Sequence, residues 1–216
     1  MAKLIRDNSL TVVLMLLFAA SLLGQWFMGW RAENEDLQRH GHETLGAAAY
    51  LASPPFLSAL FENWESEFLQ MAVYVVLTAL LVQKGSSESH DPDAPVRDLL
   101  PTEDPAASEG ARLRGLAGWL YAHSLGLALI LLFIASFVLH WTFSARTAAA
   151  EAAEHGDVPQ TIIAYLGEAQ LWFESFQNWQ SEFLSTAVLV VLSIFLRQKN
   201  SPESKPVAAP NSETGA

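Results

Sequence analysis

Glu67 and Glu182 stand where a carboxylate is costly. Each closes an N-W-x-S-E motif and opens an apolar run, in F-x-N-W-x-S-E-F-L blocks at 61–69 and 176–184. A glutamate so placed has three uses. It can sit hydrated in the first turns of a helix entering a membrane, where it complements the positive end of the helix dipole. It can pair with Arg31 or Arg146, which recur at matching positions, and so dock two helices. Or it can line a polar seam and handle ions or protons, as intramembrane acids often do. All three stay open at this level.

Neighbouring residues extend the polar face. Asn63, Glu67, Gln70, Tyr74 and Thr78 are spaced by four, three, four and four, so they share one side of a helix. The second block keeps Asn178, Glu182, Ser185 and Ser193 there, with Leu189 interrupting. Trp64 and Trp179 suit an interfacial aromatic belt, and Ser66 and Ser181 complete the shared motif. The apolar runs that precede these blocks carry Ser21 and Gln25, answered by Ser136 and His140. An interhelical hydrogen bond is enough to explain His140. His40 and His155 each precede a glycine at an expected helix end, where a histidine can satisfy terminal carbonyls. They lack the spacing of metal ligands, so no metal is expected. Nucleophile-elbow, Walker and dinucleotide fingerprints are missing too. The chain therefore reads as a non-enzyme without a cofactor.

The elements that position these residues follow from an internal repeat. Residues 9–89 align without a gap on 124–204, at a constant offset of 115, with about 33 identities in 81 positions. Leu10–Trp30 is free of charge and about 30 Å long as a helix, the thickness of a bilayer core. Its copy at 125–143 lies mid-chain, which argues against a cleaved signal peptide. The second run of each copy spans a membrane if it starts near Trp64 or Trp179. The expected fold is an all-α integral membrane protein with four spans (about 10–30, 64–82, 119–143 and 179–196), forming two parallel-oriented tandem helical hairpins with helical outer loops.

The domain reading follows. Residues 1–84 form the first repeat, 85–110 a flexible acidic linker, 111–199 the second repeat, and 200–216 a disordered tail. Within 111–124, Arg112, Arg114, Trp119 and Tyr121 suggest a helical lead-in at the inner interface. Nine of the twelve Lys and Arg residues fall in the N-terminus, linker and tail. The positive-inside rule then puts both termini in the cytoplasm. A charged fraction of 16% supports the membrane class. A net charge of −11 argues against nucleic-acid partners.

The FENWESEFLQ and FQNWQSEFL blocks, together with the LRQKNSPESKPVAAP ending, resemble an uncharacterised bacterial membrane-protein family, domain of unknown function 6766. The resemblance implies a multi-pass bacterial membrane protein with no assigned activity, and the inner membrane is its expected location. Its duplicated motif corresponds here to Asn63, Trp64, Ser66 and Glu67 and to Asn178, Trp179, Ser181 and Glu182. The alanine-rich stretch at 147–153 departs from the more polar segment expected there. Function then reads as a non-enzymatic accessory or scaffold protein whose partners are the bilayer and a second copy or another membrane protein. The alternative is a small channel or transporter with its path along the seam between repeats, lined by Glu67, Glu182, Gln25 and His140. Residues shared by the two copies concentrate at one end of the second helix of each hairpin, and the functional site is expected there.

Overall fold

The computed structural model describes residues 7–91 and 108–215. Among these there is no strand. The helices are α1 (Ser9–Arg39), α2 (Ala47–Tyr50), α3 (Pro54–Leu80), α4 (Gly115–Ala122), α5 (Ser124–His155), α6 (Ile162–Tyr165) and α7 (Ala169–Phe195). The all-helical expectation holds. Two helices are long and apolar enough to cross a membrane, α1 and α5. The linker expectation falls largely on 92–107, outside the described residues.

The 115-residue offset reappears in the backbone. α2 and α6 are related by it at both ends, as are α3 and α7. α1 and α5 stop in the same way. Gly41 and Gly156 adopt φ of 76° and 77°. In the first case His42 N–H bonds Leu37 C=O and Gly41 N–H bonds Gln38 C=O; in the second, Asp157 and Gly156 do the same to Ala152 and Ala153. This left-handed cap satisfies carbonyls that the helix leaves open, and glycine adopts it without a Cβ clash.

The chain divides into two compact units. The first holds residues up to Leu60 and Thr142–Ile162. In it, the segment after α1 doubles back along α1. Trp26 Nε1 donates to Ala47 C=O (2.8 Å), Trp30 Nε1 to Leu45 C=O (2.7 Å), and Asn34 exchanges two bonds with the Leu45 backbone. Tyr50 is buried edge-on against Phe56, at 5.4 Å between centroids. The Tyr50–Leu51 segment therefore lies at the level of the last apolar turns of α1. In the second copy, Ala149 stands where Asn34 would be, so this double bond has no counterpart there.

The second unit holds Phe61–Trp141 and Ile163 onward. Here α7 meets α5 through Phe133–Trp179 and Phe137–Trp172 ring contacts, and meets α3 through Gln70 Nε2 donating to Thr186 Oγ1 at 2.6 Å. The lead-in helix α4 ends at His123, and α5 starts afresh at Ser124.

The C-terminal residues differ from expectation. Instead of a free tail, residues 198–215 fold onto the turn after α3. Lys205 is almost fully buried, and its ammonium donates to the carbonyls of Gly85, Pro210, Asn211 (3.1 Å) and Glu213 (2.9 Å). Gly85 N–H donates to Thr214 Oγ1, and Ser86 pairs with Ser193 at 2.8 Å. Burial pushes the Lys205 amine below its ordinary value, with the Arg197 charge acting the same way and Glu213 opposing. Composition alone hid this, because the tail is held by one buried cation rather than by an apolar face.

A Cβ at Gly29 would lie 2.5 Å from Tyr50 Oη. Gly29→Val should therefore displace Tyr50 and cost about 1–3 kcal/mol. The check is the denaturant midpoint of the purified protein, with Gly24→Val, where there is open space, as the silent control.

Candidate functional site

α5, α3 and α7 each turn a polar stripe toward the centre of the second unit. On α5, Ser136 and His140 are one turn apart and both buried. On α3, Glu62 and Glu65 share a face at a spacing of three. On α7, Leu171, Glu174, Ser175 and Asn178 recur at three- and four-residue steps, and Leu171 and Ser175 are fully buried. Apolar residues around these stripes bring the three helices together. The buried polar groups at the centre of these stripes must then satisfy one another.

His140 is the hub. Its side chain is fully buried, and Nδ1 lies 2.9 Å from Glu65 Oε2 while Nε2 lies 3.3 Å from Glu174 Oε2. Glu65 is also fully buried, and its second oxygen accepts from Ser175 Oγ (2.8 Å) and Trp179 Nε1 (3.1 Å). Glu174 Oε1 accepts from Gln170 Nε2 at 2.8 Å. Asn178 donates to Glu62 Oε1 and to the Glu174 backbone carbonyl. Three helices are thus joined through a carboxylate–imidazole–carboxylate line. Each buried member has a partner, as groups in a low-dielectric interior require.

The residues singled out from sequence fall in several places. Asn178 and Trp179 belong to the cluster, and His140 is its centre. Trp64 stacks edge-on with Phe61 at 5.5 Å. Ser66 and Ser181 each bond the carbonyl three residues back, at 2.8 Å. Asn63 and Glu67 are exposed and Glu182 is half-buried, its carboxylate within reach of the Glu67 charge. Arg31 and Arg146 belong to the first unit, where both are exposed and Arg146 lies 5.4 Å over the Phe143 ring. Gln25 lies on α1, in that unit also. His40 and His155 bond the carbonyls of Asp36 and Glu151, four residues back, as helix-end histidines do. Among the described residues no group of three or more His, Asp or Glu is arranged to hold a metal ion.

A family model described as a domain of unknown function (DUF6766) matches residues 1–216. The chain belongs to this family. No curated protein and no solved structure matches it.

Sequence reasoning passed over Glu62, Glu65, Glu174 and Ser175 of this DUF6766 chain because it looked for what the two copies share. At the 115-residue offset these four face Gln177, Gln180, Ala59 and Leu60, and His140 faces Gln25. The ionisable core of the cluster and Ser175 occupy positions where the copies part, while Asn178 and Trp179, which complete it, are shared with Asn63 and Trp64. A readable signal was present. In each of these five pairs, an ionisable or hydroxyl-bearing residue in one copy is matched by a neutral amide or an apolar residue in the other.

Removing one partner of a buried charge pair leaves the other uncompensated, typically at 3–5 kcal/mol. His140→Ala should therefore destabilise the protein by about that much, and Ser175→Ala by about 1–3 kcal/mol. The double variant Glu65→Gln/His140→Gln, which restores the amides of the other copy, should recover most of the loss. Reversible unfolding in mixed micelles measures all three.

Proposed function

We propose that this protein is a non-enzymatic scaffold or accessory protein of the bacterial inner membrane, with four spans and both termini in the cytoplasm. The buried Glu65–His140–Glu174 cluster carries this reading. Its centre is fully buried and its members satisfy one another, which suits a clamp that fixes how three helices dock. A buried ionic cluster contributes modest net stability but rejects other packings, since misplacing any one member strands a charge. Such a clamp gives a membrane partner, or a second copy, a rigid face to bind.

Four spans follow if α3 and α7 cross the bilayer alongside α1 and α5. Each has 27 residues, about 40 Å of helix. The glutamates near their N-terminal ends would then lie close to the outer interface, and the Lys84 and Lys199 ends inside. Large apolar side chains exposed along α1 (Leu10, Leu14, Leu16 and Leu17) suit contact with lipid.

The channel or transporter alternative needs a wet polar path. A cavity of about 340 Å³ does open between α3 and α7, lined by Gln70, Tyr74, Thr78, Phe183, Thr186 and Val190 among others. Its walls are mainly apolar, and Glu67, Glu182 and His140 do not line it. The clamp reading is the better supported of the two.

The absence of cysteine makes topology directly testable. Single cysteines at Glu43 and Val158 should react with an impermeant maleimide on intact cells. Cysteines at Lys84 and Lys199 should react only after permeabilisation. Outside labelling at Lys84 or Lys199 would overturn the four-span arrangement. In proteoliposomes, ion or proton flux that disappears in Glu67→Gln/Glu182→Gln while the fold persists would favour the transporter.

A further inference from the structure

Ionised carboxylates only accept hydrogen bonds, and a neutral imidazole has one N–H to give. Both nitrogens of the fully buried His140 nevertheless face carboxylate oxygens, at 2.9 and 3.3 Å. A ring with a single proton would leave one nitrogen lone pair pointing at a carboxylate lone pair. A ring with two protons satisfies both sides. We propose that His140 binds an occluded proton, held as an imidazolium bridging Glu65 and Glu174, and that Glu174 is the gate through which this proton exchanges with water. The proton site rests on the clamp reading of the same cluster and gives that clamp its ligand.

The charges around the ring are consistent with this. Glu62 and Glu65 face it from α3, and Glu174 faces it from α7. Three carboxylates around a neutral ring would repel one another in a medium of low dielectric, whereas one cation at the centre offsets them. Access is one-sided. Glu65 and His140 have no exposed side-chain surface, while about 22% of the Glu174 side chain is exposed. Gln170, which is exposed, holds its outer oxygen.

The transfer balances without another reactant. A proton taken from water as the O–H of Glu174 passes to Nε2 across the 3.3 Å contact. That O–H bond breaks, an N–H bond forms, and the carboxylate is regenerated. Nothing continues the path, since Nδ1 already serves Glu65 and the other oxygen of Glu65 is occupied by Ser175 and Trp179. The site stores a proton and does not conduct it. When the proton leaves, Nε2 presents a lone pair to Glu174. The carboxylate then has reason to swing out to water, releasing one of the ties between α7 and α5. Gln25 and Gln180, the counterparts of His140 and Glu65 at the 115-residue offset, cannot take a proton, so the repeat does not build a second such site.

The test is nitrogen-15 NMR of the full-length protein, labelled at histidine, in lipid nanodiscs at pH 7.5. His140→Gln identifies the His140 signals among the six histidines. The wild type should show both ring nitrogens of His140 protonated. Glu174→Gln, whose amide can donate to Nε2, should abolish the imidazolium signal, leaving a neutral ring with its N–H toward Glu65 and the circular dichroism unchanged. A neutral His140 in the wild type overturns the proposal, and so does an imidazolium indifferent to Glu174→Gln. The clamp is scored separately. If His140→Gln and Glu65→Gln unfold no earlier than wild type, the clamp reading falls whatever the state of the ring.

Discussion

The burial of the Glu65 carboxylate constrains the rest of the second unit. Taking such a group out of water costs several kcal/mol even after relaxation, so the fold must bring donors to it from more than one direction. α5 supplies His140, and α7 supplies Ser175 and Trp179. Phe133 and Phe176 flank the donating indole, at 6.1 and 5.4 Å between ring centroids. The aromatic packing between α5 and α7 and the polar line across them are therefore one arrangement. Rotating α7 by a single residue would carry Ser175 and Trp179 away together.

The two copies divide the labour. Shared positions build the frame: the glycine caps after α1 and α5, the buried tyrosines at 50 and 165, and serines that bond back along their own helices. Divergent positions supply the ionisable groups of the cluster, and the shared Trp179 and Asn178 donate to them. A repeat whose halves were identical would bury two such carboxylate groups, each needing its own cation. Amides at the counterpart positions, Gln25 in the first copy and Gln177 and Gln180 in the second, relax that requirement, because an amide both donates and accepts and carries no charge.

Much of the fold was legible in advance because its causes are local. Apolar runs of bilayer length, glycine at the left-handed cap and proline at the start of α3 each act through neighbouring residues. The helical character of all the long elements follows from them. The cluster was not legible in the same way. Glu65 sits two residues from Glu67, and both look alike in sequence, yet one is fully buried and the other exposed. Which of them points inward is decided by the rotation of α3 against two partners distant in the chain. The ordered tail escaped for a related reason. A stretch rich in Ser, Pro and Glu has no apolar periodicity, and the ammonium that organises it ties three carbonyls of the tail to one in a turn 120 residues earlier.

That ammonium makes the tail self-reporting. An amine sealed behind four carbonyls is out of reach of acylating reagents, whereas Lys84 and Lys199 stand in solvent. Lys205 can react only during moments when residues 206–215 lift away, so its modification rate follows a local opening of the chain rather than global unfolding. The least apolar part of the protein thus carries a built-in clock for its own fraying.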